Sequence, residues 1–290
     1  MKSFNYKKTD AFTSGESLGN PAASLFIDKN ELTPAEMLQV GKRHKGIVSE
    51  VVFCEPSQVA DLKLTYYSSE CEVDFCGHGT IATMYETIKN DKTLSNKKEI
   101  FIETNKKGIL RVKNQLQEED AVYISAPDPE YLECSVSKEM IAKQLGFSPD
   151  QLGQGIAYVC SGLPSLLVPV NRLADEISNY PDEARLKEFC LANGLVNILT
   201  YCFETSQEEC FVHTRVFAPL FGYLEDPATG SSNSALAYYL YKNNKWNGDP
   251  VIFEQGGNDR IFNHVQVMIE NGKVLFGGKA TLRVEGRYYL

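Results

Sequence analysis

Polar and apolar residues alternate from Ser3 to Phe12, the two-residue period of a half-buried strand, and a second strand-like run covers Ala22 to Asp28. "LTPAEML" then reads as a helix start. Thr33 is placed to cap, Pro34 suits the first helical position, and Glu36 completes a capping box. "VVFCEP" and "LKLTYYS" carry the β-branched and aromatic residues of strands. From Gly77 the period lengthens: Ile81, Met84, Tyr85 and Ile88 fall on one helical face. Strands follow at "EIFIET", "GILRVK" and "AVYISA".

The second half repeats this order. "IAYVCSGLPSLLVPV" gives two strands about a Gly-x-Pro, where the first half has Gly19-Asn20-Pro21. "PDEARLKEFCLANG" predicts a helix with Leu186, Phe189 and Cys190 on its apolar face and Gly194 as its stop. Strands are predicted at "ILTYCFE" and "CFVHTRVFA". "DPATGSSNSALAYYLYKN" then turns helical, with Leu236, Tyr239 and Leu240 facing inward. The Gly19-to-Gly77 interval recurs as Gly162 to Gly230 with one modest insertion, which points to an internal duplication. Two copies are too few for a solenoid, and two similar α+β domains are expected.

Length supports this, since 290 residues suit two domains of about 145 better than one. The expected division is 1–117, 118–278 and a closing strand 279–290 crossing back to the first domain. Of the 290 residues, 43% are hydrophobic and 23% charged, ordinary for a globular chain. A net charge of −9, without a basic cluster, argues against nucleic acid and against an anionic membrane surface. No apolar run is long enough to span a bilayer, and the N-terminus lacks the apolar segment of a signal peptide. The expected location is the cytoplasm, and the eight cysteines are expected to be reduced small hydrophobes.

Each half brings a glycine, Gly77 or Gly230, to the first turn of a helix. Amides left without intrahelical partners there, together with the helix dipole, suit an anion. Glu50 fronts an otherwise apolar strand: it is either a solvent-facing carboxylate or one whose proton affinity is raised by an apolar pocket. The matching stretch near Asn197 to Leu199 has no acid. Cys76 and His78 invite a thiolate–imidazole reading, but at i and i+2 on a turn entering a helix they are not expected to face each other. Cys71-x4-Cys76-x-His78 also lacks usual zinc spacing, with Cys202, Cys210 or His213 needed as further ligands, so no metal is expected. "DPATGSS" offers Asp226 and Ser231 as a turn and cap or as ligand groups. "PVIFEQGG" brings Glu254 and Gln255 before two glycines, as a hairpin turn or near a ligand.

Taken in order, "DAFTSGESLGNPAASLFID", "SEVVF", "CGHGTIAT", "GLPSLLVPV", "RVFAP", "EDPATGSS", "EQGG" and "GGKATLRVEG" resemble the PhzF family, the phenazine-biosynthesis isomerase group. The resemblance runs from residue 10 to residue 286. It implies two pseudo-symmetric α+β domains of diaminopimelate epimerase-like fold. Each would be a half-barrel or sheet wrapped around a central helix, with the active site in the interdomain cleft. It also implies a cofactor-free isomerisation of a small carboxylate-bearing, cyclic or aromatic-like substrate, with Glu50 as the acid/base group and His78 and Asp226 assisting. Gly77, Thr229, Gly230, Ser231, Asn20 and Gln255 would bind the substrate, the carboxylate resting on backbone amides of Gly77, Thr229 and Gly230. Members of the family often form homodimers, so a homodimer is one expected assembly.

Three departures stand out. The related epimerases begin both turns with cysteine, whereas the second turn here has Thr229, which removes the second thiol of a racemase. A Gly-Arg-Pro-Ser segment common in the family is replaced by Asn258-Asp259-Arg260-Ile261-Phe262, and the threonine common after the glutamate is Val51. The competing readings are a binding protein that keeps the site without turnover and a Cys76-dependent racemase.

Overall fold

The structure, a computed structural model, describes residues 2–257 and 261–290. Contacts divide the chain into two units, the first made of Met1–Thr13, Leu18–Ser125 and Gly277–Leu290, the second of Ser14–Ser17 and Ala126–Phe276. The division falls after Ser125 and not at 117. Ala121–Ser125 pairs antiparallel with Gly108–Gln115 (Val112 opposite Ile124), so the polar turn between them is a hairpin inside the first unit. The terminal segment Gly277–Leu290 belongs to that unit as well.

Six α-helices occur among the described residues: α1 (Pro34–Arg43), α2 (Gly77–Asn90), α3 (Lys138–Leu145), α4 (Leu173–Ser178), α5 (Glu183–Asn193) and α6 (Gly230–Lys242). α1 starts as its sequence requires. Thr33 accepts from the Glu36 amide, Glu36 accepts from the Thr33 amide, and Pro34 occupies the first position. α5 ends at Gly194 in a left-handed conformation (φ 64°). α3, capped by Ser137, and the short α4 carry too few apolar residues to have been foreseen from periodicity.

In the first unit the strands pair in the order Ala280–Tyr289, Ser3–Ala11, Asn20–Phe26, Val51–Glu55, Leu62–Tyr67, Glu99–Thr104, Gly108–Gln115 and Ala121–Ser125. Two of these pairings are parallel: Ala23 beside Val51, and Leu62 beside Ile102. Val51–Glu55 is buried at every position, because helices cover both faces. Val51, Phe53, Ala23 and Leu25 pack with Met37 and Val40 of α1. On the opposite face Ser24 Oγ meets Thr83 Oγ1 of α2 at 2.7 Å. Nearly all of α2 from Gly79 to Ile88 is buried; it is the central element of the unit, not an amphipathic surface helix.

The second unit uses the same pairing logic. Pro164–Pro169 runs parallel to Asn197–Cys202, which is antiparallel to Cys210–Phe217, which is parallel to Val251–Gln255. Its own core gathers α3 and α5 residues (Ile141, Leu145, Leu186, Phe189, Cys190) on Leu166, Val168 and Ile198. The two registers can be matched. Ala23 pairs with Val51, and Leu166 with Ile198. Tyr66 pairs with Val73, and Val216 with Asp226. In each unit a two-residue strand then leads, four positions on, to the first glycine of a buried helix. By this register Asn197 stands where Glu50 stands, Thr229 where Cys76 stands, and Ser231 where His78 stands.

Candidate functional site

In the first unit, Glu50 immediately precedes the buried strand Val51–Glu55, and its carbonyl accepts from the Ala23 amide at 3.5 Å. The next element across the sheet face is the start of α2. Gly79 permits the approach: a Cβ there would sit 2.8 Å from Val52 Cγ2 and 2.9 Å from Cys76 Sγ. Tyr66 ties the helix start to its strand through a 2.8 Å hydrogen bond with Thr80 Oγ1. The chain before the helix is extended at Cys76 (φ −129°, ψ 108°), and Cys76 is the N-cap, its sulfur accepting from the Gly79 amide at 3.3 Å. No acidic residue occupies the first turn of α2, so the positive end of its dipole is open to a negative group from elsewhere.

Glu50 supplies that group. The Cys76 thiol points at Glu50 Oε2 over 3.6 Å, and His78 Nε2 lies 3.4 Å from the same oxygen. The two ring nitrogens of His78 are 3.6 and 3.7 Å from Cys76 Sγ. Cys76 and His78 therefore do meet, contrary to the expectation from their spacing. The i, i+2 rule describes two helical residues, whereas Cys76 has extended backbone outside the helix and its side chain folds back over the first turn. The Glu50 and His78 side chains are 20% and 14% exposed, which leaves the cluster reachable from solvent. Burial pushes the His78 imidazole down to about 4, so the ring is neutral at pH 7.

Other expected site residues fall as follows. Asn20 is buried at the start of its strand, opposite Ala11, and follows Gly19, where the positive φ (67°) and the 2.6 Å that would separate a Cβ from the Ala11 carbonyl oxygen exclude a side chain. Val51 is turned to the α1 side and packs there, which accounts for an apolar residue at that position.

In the second unit Asp226, Thr229, Gly230 and Gln255 come together. Thr229 Oγ1 donates to Asp226 Oδ2. Gln255, fully buried, accepts from the Thr229 amide (2.9 Å) and from Asn233 Nδ2 (2.7 Å), and donates to the Asp226 carbonyl (2.8 Å) and Thr229 Oγ1 (3.2 Å). Its amide group is thus spent on the loop before α6, and the Thr229 N–H that was expected to hold a carboxylate is spent on Gln255. Gln255 is a bracket for this loop. Gly230 has no room for a side chain, since a Cβ would lie 2.2 Å from Phe276 Cε2. Ser231 is half-buried beside the Gly162 turn.

Sequence reasoning missed two further arrangements. The thiol-to-carboxylate contact joins residues far apart in sequence, and no local motif announces it. His213 Nδ1 lies 2.9 Å from Glu254 Oε1, both fully buried, with Phe262 edge-on to the imidazole at 4.7 Å. Asn258, Asp259 and Arg260, where the family segment is altered, lie outside the described residues. All eight cysteines are free, and no described helix is long and apolar enough to cross a membrane.

The model of the PhzC-PhzF family, phenazine biosynthesis-like protein, matches residues 9–286. The chain belongs to this family. Among relatives of this PhzF-family chain, the uncharacterized isomerase YfhB of Bacillus subtilis is 28% identical over 262 residues, 88% of this chain and 87% of that one. The trans-2,3-dihydro-3-hydroxyanthranilate isomerase of Pseudomonas fluorescens is 26% identical over 260 residues, 87% of this chain and 85% of that one. The crystal structure of the Bacillus anthracis PhzF-family phenazine biosynthesis protein matches with a TM-score of 0.85 and 27% identity over 100% of both chains. A hydroxyproline epimerase from Agrobacterium vitis, 11% identical with a TM-score of 0.60 over 99% of this chain and 91% of that one, shares the fold alone. The protein is an isomerase of the PhzF family.

Proposed function

We propose that this isomerase moves a proton between positions of a small, carboxylate-bearing, cyclic or aromatic-like substrate, with Glu50 as the acid/base group. The observation that carries the reading is the seat of the Glu50 carboxylate. It is half-buried at the positive end of a central helix, 3.6 Å from a thiol and 3.4 Å from a neutral imidazole. A carboxylate so placed can take a proton from carbon and return it, while His78 donates to or accepts from the developing polar group without carrying charge. The Pseudomonas fluorescens relative supports the substrate class, since its name specifies a ring-borne carboxylate. Asp226 and Ser231 stay in the proposal on the family resemblance, Asp226 as an assisting acid/base group and Ser231 as a substrate contact.

The test begins with a thermal-shift screen of cyclic and aromatic carboxylic acids, followed by turnover of each ligand found. Glu50→Gln, which keeps shape and removes the proton acceptor, should abolish turnover with binding and fold retained. Turnover that persists in Glu50→Gln would overturn the assignment.

A second reading has one specific observation in its favour. The Cys76 thiol is directed at Glu50, so the sulfur could exchange protons itself, as in a racemase. The register places Thr229 at the matching turn, so a two-thiol mechanism has no second base. Full activity after iodoacetamide treatment dismisses this reading.

A further inference from the structure

Glu50, Cys76 and His78 each offer one ligand atom, and the three atoms lie within 4.8 Å of one another. The individual separations are more informative: 3.6 Å from sulfur to carboxylate oxygen, 3.7 Å from sulfur to Nε2, and 3.4 Å from Nε2 to the same oxygen. For a tetrahedral zinc ion with bonds of about 2.3 Å to sulfur and about 2.0 Å to nitrogen and oxygen, the edges of the tetrahedron are about 3.5 Å for the sulfur edges and about 3.3 Å for the nitrogen–oxygen edge. The triangle of side-chain atoms matches these edges to within about 0.2 Å. One thiol, one imidazole and one carboxylate is also the donor mixture that selects a borderline divalent ion over magnesium or calcium, which take oxygen alone.

We propose that these three side chains form a tridentate site for zinc, and that its occupancy switches the isomerase off. Cys76 gives up its proton to solvent as the sulfur–metal bond forms, while Glu50 and His78 bind through lone pairs. The fourth position faces the solvent-accessible side, where the Glu50 and His78 side chains keep 20% and 14% exposure, and a water completes the tetrahedron. Little rearrangement is required. Cys76 is fixed by the Gly79 amide, and Nε2 of His78 already stands 3.7 Å from the sulfur and 3.4 Å from Glu50 Oε2. An ion held here takes the lone pairs with which Glu50 would accept a proton. Binding rests on the geometry alone, whereas inhibition rests on the proposed role of Glu50.

Cobalt(II) titration of the full-length protein tests binding without reference to turnover. One equivalent should give the near-ultraviolet thiolate-to-cobalt charge-transfer band and intense tetrahedral visible bands, and zinc should abolish both. Cys76→Ser, which keeps a capping oxygen, should lose the band. His78→Gln should keep it but require at least about tenfold more cobalt. Absence of the band in the unaltered protein overturns the site. So does a band that survives Cys76→Ser, because the metal would then sit on other cysteines, such as Cys210 beside His264. Failure of the Glu50 mechanism reads differently: the band would form normally while Glu50→Gln still turned over substrate.

Discussion

The Gly79 amide donates to Cys76 Sγ at 3.3 Å, and that sulfur stands 3.6 Å from Glu50 Oε2. One atom therefore closes the first turn of α2 and also faces the candidate proton-transfer group. The helix start and the acid are positioned by the same side chain, and the two jobs can be separated by substitution. Cys76→Ser should leave stability near its original value, since serine is a good N-cap. Cys76→Ala should cost about 1 kcal/mol in urea denaturation. Equal midpoints for the two variants would show that the sulfur is not the cap.

Gly79 sets the distance between strand and helix. Adding a methyl group there drives it into Val52 Cγ2 and Cys76 Sγ, both under 3 Å away. Gly79→Ala should destabilise the chain by about 1–3 kcal/mol, as overpacking does, and Val52→Ala in the same chain should recover part of the loss. The coupling is read from a double-mutant cycle. Simple additivity of the two changes would show that the contact is not the cause.

Gln255 provides a test of bracket against ligand. Removing its side chain takes the acceptor from the Thr229 N–H, one of two acceptors from Asn233 Nδ2, which also reaches the Thr229 carbonyl, and one donor from the Asp226 carbonyl. Gln255→Ala should therefore cost about 3 kcal/mol of stability, because buried polar groups lose their hydrogen bonds. A residue that only touched substrate would instead raise KM and leave the denaturation midpoint in place.

His78 gives a pH dependence of defined sign. In the unfolded chain the imidazole takes a proton near its ordinary value of 6.5, while in the folded chain burial delays this until about 4. Between those values the unfolded state binds more protons, so stability falls as pH drops from about 6.5 towards 4 and is flat above. The full effect is on the order of 3 kcal/mol. His78→Gln should flatten this part of the stability profile. If urea midpoints at pH 7 and pH 5 differ equally in both proteins, the imidazole is not the group responsible.

Most of the architecture could be read from spacing. Thr33, Pro34 and Glu36 announce α1, the apolar face of Ile81 to Ile88 announces α2, and the recurrence of Gly-x-Pro and helix-opening glycines announces the duplication. These signals are local, and local pattern survives in one dimension. The α3 and α4 helices were not legible, because each is short and buries only a few residues. At the site, Glu50 and His78 were singled out individually, but their meeting through Cys76 was not. That meeting depends on the extended backbone of one residue and on Gly79 letting the helix start reach Val52. The role of Gln255 was hidden for the same reason, since nothing in "EQGG" shows that both ends of one amide are used on a loop some 25 residues earlier in the chain.

Strand Ser3–Ala11 is held between Asn20–Phe26 on one edge and Ala280–Tyr289 on the other, and Lys2 and Leu290 exchange backbone hydrogen bonds. The first unit thus takes strands from the two extremes of the sequence, while the second is almost continuous in between. On a ribosome this reverses the order of completion. Residues 126–276 can reach their full set of contacts first, and the earlier-made half must wait with one edge of Ser3–Ala11 unsatisfied until Ala280–Tyr289 emerges. An open edge is a template for pairing with other chains, so nascent or C-terminally clipped molecules would be the ones most in need of a chaperone.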